Sequence, residues 1–158
     1  MKTNIEIDAI DKRLIELLQQ DATQSVQALS EQVGLSNNPC WRRIKRLEEV
    51  GVILGRVAVV DPAVLGLSTT VYVQIKIKSH SQDWLENFSK ALAKIPEIVE
   101  CHRMAGETDY LLKVLVRDLP HYDDVYQRFI SLVPGLESVS SNFSMEQLKQ
   151  SSVVPTST

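Results

Sequence analysis

Nowhere in these 158 residues does an uncharged apolar run approach the roughly 18 residues needed to span a bilayer. Near the start, IEIDAIDKR breaks any apolar leader core with acids, so a cytoplasmic protein is expected. Cysteine is scarce: Cys40 and Cys101 stand 61 positions apart, neither in a Cys-x-x-Cys spacing. That excludes a disulfide framework, and both are expected to be small buried hydrophobes. Histidine is also too sparse for catalysis or metal binding, with three residues in the chain. Beyond His80 and His121 there is only the adjacent pair Cys101-His102, and neighbours on a strand point to opposite faces, so the pair does not share a metal ion. No Ser-His-Asp or Cys-His constellation, P-loop or dinucleotide glycine pattern is visible. No catalytic group, metal or cofactor is therefore expected.

Excess positive charge is also missing, since the net charge is −3. Divided along the chain, residues 1–56 carry eight Lys/Arg against eight Asp/Glu, and the remainder carries nine against twelve. A neutral amino-terminal part with a local basic cluster favours contact through one positioned face, because a helix senses the field within about 8–10 Å.

That cluster lies in Ser25–Leu47, SVQALSEQVGLSNNPCWRRIKRL, which reads as a helix-turn-helix. Val26, Leu29 and Val33 fall at helical spacing behind an N-cap at Ser25, and Gly34 sits where a helix ends left-handed. Ser36 caps a second helix with Pro39 in its first turn, where the missing N–H has no partner to lose. On this helix Cys40, Ile44 and Leu47 share one line, while Asn38, Trp41, Arg42, Lys45 and Glu49 point the other way. Four of the six residues Trp41–Arg46 are basic. Such a face suits phosphates, and Asn and Arg side chains hydrogen-bond purine edges in the major groove, so double-stranded DNA is the expected partner. A preceding helix, Asp8–Gln20, carries Ile10, Leu14, Leu17 and Leu18 to close the core beneath the motif, with Asp8 at its N-cap and Asp11 in its first turn.

After Gly51 the period changes. Ile53–Val60 is β-branched and ends at Asp61-Pro62, predicting a β tether, with the domain boundary between Asp61 and Ser68. Val71, Val73, Ile75 and Ile77 then alternate with polar residues as on a half-buried strand. Asp83–Ile95 is helical, Ile98–Ala105 and Tyr110–Val116 form a hairpin about Gly106–Asp109, Leu119–Val133 is helical, and Val139–Leu148 is the last strand. The fold class is α+β: a (winged) helix-turn-helix domain over 1–61 and a ferredoxin-like βαββαβ domain over 62–158. One sheet face is left to be covered, with Tyr72, Phe143 and Met145 as outward positions by one register or the other, which predicts dimerisation. The tail after Gln150 has no periodicity and is expected to be loose.

LSEQVGLSNNPCWRRIKRLEEVGVI resembles the helix-turn-helix signature of the Lrp/AsnC (leucine-responsive, feast/famine) family of transcriptional regulators. MAGETDYLLKV and SSNFSMEQLK resemble the hairpin and last-strand motifs of its effector domain, called the RAM domain. The resemblance runs from about Asp8 to Lys149. It implies DNA binding by Ser36, Asn37, Asn38, Trp41, Arg42, Arg43, Lys45 and Arg46; the helical phase puts Arg43 toward the flank of the core, in a phosphate or structural role, and leaves base contacts to Asn38 and Arg42 and phosphates to Lys45 and Arg46. It implies an amino-acid site at Gly106, Thr108, Asp109 and Tyr110, completed by Ser141, and assembly of homodimers into octamers or larger particles. Thr108 stands where many relatives carry an aromatic, and Pro39-Cys40-Trp41 with Arg103–Glu107 is similar to a cysteine-responsive branch, so a small effector such as cysteine is expected. The alternatives are a tetrapyrrole enzyme resembling the sirohaem decarboxylases, whose porphyrin needs gathered histidines where this chain has three scattered ones, and a stand-alone amino-acid-binding module, which the basic helix disfavours.

Overall fold

The computed structural model describes residues 5–156. Ten elements follow one another: α1 (Ala9–Gln20), α2 (Val26–Val33), α3 (Asn37–Glu49), a 3-10 turn (Pro62–Leu65), β1 (Thr69–Ile77), α4 (Gln82–Leu92), β2 (Ile98–Arg103), β3 (Tyr110–Val116), α5 (Leu119–Leu132) and β4 (Leu136–Phe143). They divide into two compact units, one reaching to Val59 and including the stretch from Lys149 onward, the other Val60–Leu148.

The first unit is three short helices around Leu14, Leu17, Leu18, Leu29, Cys40 and Ile44. Each helix starts on a residue that supplies an acceptor or an extended backbone. Asp8 and Asp11 form a reciprocal capping box on α1, and the Ser25 hydroxyl accepts from Ala28 N–H on α2. Ser36 is the N-cap residue of α3 but its hydroxyl makes no capping bond. Between α2 and α3 the chain reverses at Gly34, whose φ of 69° and ψ of 31° suit a residue without Cβ.

The second unit is a four-stranded antiparallel sheet in the order β2-β3-β1-β4, with α4 and α5 packed on one face. The core includes Val71, Val73, Ile75 and Ile77 on β1, Tyr110, Leu112, Val114 and Val116 on β3, and Phe88, Val125 and Phe129 on the helices. Register decides what the opposite face carries. Tyr72 pairs with Lys113 and Asn142, and Gln74 with Leu111 and Ser140, so that face mixes apolar and polar side chains. Phe143 pairs with Val71 and therefore lies on the helix side, edge-on to Tyr122 at 5.2 Å, contrary to the outward placement considered for it. Met145 lies beyond the strand and is almost fully exposed.

Four further expectations are corrected. Ile53–Val60 forms neither a strand nor a wing: Ile53 packs on the helical core, but Val57 and Val59 are 86% and 78% exposed, and β propensity without a partner ladder makes no strand. β4 spans Leu136–Phe143, not Val139–Leu148. It begins directly after the Pro134-Gly135 turn, and pairing runs out with β1 where Ser144 N–H donates to the Thr70 carbonyl. The tail is docked against α1. Val154 exchanges two hydrogen bonds with the Gln19 side chain (2.6 and 3.0 Å), and the Thr156 hydroxyl donates to Glu16 Oε1 at 2.5 Å. Periodicity does not reveal such a segment, because a side-chain amide mimicking a strand backbone leaves no pattern. Cys40 is buried as expected, whereas Cys101 on edge strand β2 is exposed.

Candidate functional site

α3 sorts its side chains into three stripes. Cys40, Ile44 and Leu47 are buried. Asn38, Arg42, Lys45 and Glu49, spaced at i, i+4, i+7 and i+11, form an outer stripe beside Trp41, which is half exposed. Between core and outer stripe stand Arg43 and Arg46, turned toward the amino-terminal end of α1. Arg43 Nη1 donates to Asp8 Oδ2 at 2.6 Å and to Asp11 Oδ1 at 2.9 Å, while Arg46 donates to Asp11 Oδ2 and, at 3.3 Å, to the Glu6 carbonyl. These bonds hold the Asp8 carboxyl below its ordinary value, the Asp11 backbone N–H contributing most and Arg43 next, and raise the Arg43 guanidinium. Lys45 pairs with Glu48 at 2.7 Å, and Arg56 reaches the same carboxylate at 3.2 Å. Arg42 is the α3 cation with no ion-pair partner among the described residues.

The expected DNA-contacting residues thus fall into three groups, one of them Arg43 and Arg46 with their acids on α1. Asn38, Trp41, Arg42 and Lys45 are presented outward around an open groove of about 980 Å³. Asn37 is occupied instead by the buried Ser30 hydroxyl, 2.8 Å away, which ties α2 to α3, and Ser36 serves the turn. Asp11 joins this surface as well: two acids three apart, Asp8 and Asp11, meet two arginines three apart, Arg43 and Arg46, a match that neither helical pattern shows by itself.

At the β2–β3 hairpin, Gly106 has φ of 136° and open space where a Cβ would stand, so its backbone is approachable. Thr108 and Glu107 make no side-chain bond among the described residues. Asp109 is committed. Its N–H donates to the Ile75 carbonyl at 2.9 Å, its Oδ2 accepts from Ile77 N–H at 2.8 Å, and its Oδ1 lies 3.3 Å from His80 Nε2. The carboxylate continues the β1–β3 ladder by one rung where backbone pairing has stopped at Ile75. Tyr110 is a core residue, 4.9 Å from Phe88 and 5.7 Å from Trp84 between ring centroids. Ser141 is hydrogen-bonded with the Tyr122 hydroxyl on the helix side of β4, in a groove of about 560 Å³ whose lining includes Tyr126 and Val139 but no residue of the loop. The structure therefore keeps Gly106, Thr108 and Asp109 together and sets Tyr110 and Ser141 in other surroundings. Among the described residues no cluster of three His, Cys, Asp or Glu could hold a metal ion, and no helix is long and apolar enough to cross a membrane.

A capped helix-turn-helix with an outward polar stripe, joined in sequence to a separate βαββαβ unit, defines a two-domain regulator architecture. The chain belongs to the Lrp/AsnC family: residues 7–48 match the AsnC-type helix-turn-helix domain and residues 70–154 the Lrp/AsnC ligand binding domain. It is 47% identical to the DNA-binding transcriptional activator DecR of Escherichia coli strain K12, over 94% of this chain and 98% of that one. The crystal structure of an AsnC family transcriptional regulator from Agrobacterium tumefaciens superposes with a TM-score of 0.88 at 45% identity, covering 94% of this chain and 96% of the other. A transcriptional regulator from Neisseria meningitidis, solved as its complex with L-Met, gives a TM-score of 0.87 at 28% identity, covering 95% and 97%.

Proposed function

We propose that this protein is a cytoplasmic, sequence-specific DNA-binding regulator of transcription whose DNA binding and assembly respond to a small amino acid. The outer stripe of α3 carries the reading: a helix held by its partners presents Asn38, Trp41, Arg42 and Lys45 and buries Cys40, Ile44 and Leu47 on the opposite side. Asn38 and Arg42 read base edges in the major groove, and Lys45 exchanges its half-exposed pair with Glu48 for a phosphate. The DNA-binding and ligand-binding family matches and the L-Met complex of a similar regulator support an amino acid as effector. The effector carboxylate meets backbone N–H groups beside Gly106. Asp109, tied to Ile77 and His80, fixes the loop, and Thr108 limits the room for the side chain, which favours cysteine, serine or alanine. The open sheet face with Tyr72, Leu111 and Leu115 meets a second copy, and such dimers build octamers or larger particles.

Footprinting on the DNA upstream of the protein's own gene, across a panel of the twenty amino acids, tests this. A protected site that one small amino acid strengthens or weakens is expected. Protection absent at every condition would remove the DNA-binding assignment, and protection indifferent to all twenty would remove the effector.

A further inference from the structure

α3 carries four cations, and the fold treats them unequally. Arg43 and Arg46 both end on Asp11, a carboxylate only 1% exposed, and Arg43 also ends on Asp8. Lys45 ends on Glu48, which is 29% exposed, and Arg42 has no acid partner among the described residues. The difference lies in the acids. Withdrawing Arg46 toward a phosphate would strip a carboxylate only 1% exposed of one of its two guanidinium partners. Withdrawing Lys45 leaves Glu48 near solvent, where ion pairs are weak. The acids are fixed in turn. Asp8 and Asp11 cap α1 reciprocally (2.8 and 3.3 Å), at a helix end whose dipole favours negative charge.

We propose that Asp11 is a positioning residue for DNA recognition: with Asp8 it clamps Arg43 and Arg46 against α1, fixing the orientation of α3 and keeping both arginines off the DNA phosphates. Two of the four α3 cations then contribute nothing to counterion release. Sequence-independent attraction is held down, and Arg42, Asn38 and Trp41 decide where the protein binds. The inference rests on the DNA-binding reading above.

The test is the slope of log affinity against log salt for the full-length protein on a mixed-sequence duplex and on its own upstream site. Arg46→Gln is expected to leave the slope as in wild type, while Lys45→Gln lowers it by about one unit. Asp11→Asn, which weakens the hold on both arginines, is expected to steepen the slope by about one to two units, raise mixed-sequence affinity and shrink the ratio of specific to mixed-sequence binding. A drop of about one unit for Arg46→Gln, matching Lys45→Gln, would overturn the clamp, because Arg46 would then be a phosphate contact. An Asp11→Asn protein that folds but loses affinity for both duplexes at unchanged slope would also overturn it, leaving Asp11 a merely structural group. Should Asp11→Asn fail to fold by circular dichroism, Arg46→Gln and Lys45→Gln, at side chains 42% and 48% exposed, still decide the matter. Wild-type protein that binds neither duplex overturns the DNA-binding reading and this inference with it. Binding that loses slope on Arg46→Gln overturns the inference alone.

Discussion

The recognition helix and the Gly106–Tyr110 loop both offer polar side chains in motif positions, yet the fold leaves them in opposite states. On α3 the buried stripe is apolar, so the polar outer stripe is under no structural obligation and stays available. In the loop Asp109 and Tyr110 complete the structure, though Glu107 and Thr108 do not: the Asp109 carboxylate supplies the acceptor that the β1–β3 ladder lacks at Ile77, and the Tyr110 ring fills the core beside Phe88. A helix can separate packing from recognition by angular position, because its backbone bonds itself. A hairpin end cannot, because its unpaired backbone groups claim the nearest carboxylate.

Substitution can break this contrast. Arg42→Ala should lower affinity for a specific site by about 1–3 kcal/mol, some five- to 150-fold, while leaving thermal stability unchanged, as fluorescence anisotropy and calorimetry would show together. A stability loss comparable to the affinity loss would mean that the outer stripe is structural after all. Asp109→Ala should do the reverse on the other unit. It leaves the buried Ile77 N–H without its acceptor, at a cost of about 1–2 kcal/mol in stability, discounted because a quarter of the Asp109 side chain reaches solvent. Asp109→Asn keeps an oxygen for Ile77 and should recover most of that loss in urea titrations. If Asp109→Ala is as stable as wild type and only amino-acid binding suffers, the carboxylate is a ligand contact and the contrast between the two regions fails.

Much of this molecule is legible from periodicity. The helical faces of α1 to α3, the alternation of β1 and the βαββαβ order all follow from where apolar residues recur. What periodicity does not carry is partnership. The β-branched run Ile53–Val60 has strand composition but no neighbour to pair with among the described residues, so it forms no strand and is exposed from Leu54 onward. Phe143 could face either way until its pairing with Val71 set the register. The basic cluster showed that α3 was charged, but not that Asp11 holds two of the four cations. Which polar group satisfies which is a three-dimensional matter, and it decides which motif residues remain free for a partner.

The smallest expected effect concerns the tail, which composition marks as unstructured and the fold places on α1. Glu16 is the sensitive reporter, since its carboxyl is held below its ordinary value first by the Thr156 hydroxyl and then by Arg13. A lowered folded-state value means that the contact adds stability above the unfolded carboxyl range and loses it as pH falls through the folded value. The tail should therefore be docked at neutral pH and loosen in acid below about pH 4.5, the ordinary glutamate value. Carboxyl NMR titration of the full chain against a chain ending at Gln150 checks this. The Glu16 midpoint should rise in the shortened chain, though not all the way, because Arg13 remains at 3.1 Å. Because Glu16 lies on the surface, global stability should hardly change. Identical midpoints in the two chains would show that the tail does not rest on α1 in solution. A raised midpoint would instead make residues 151–156 part of the helical unit that carries the recognition helix, although they follow the effector domain in sequence.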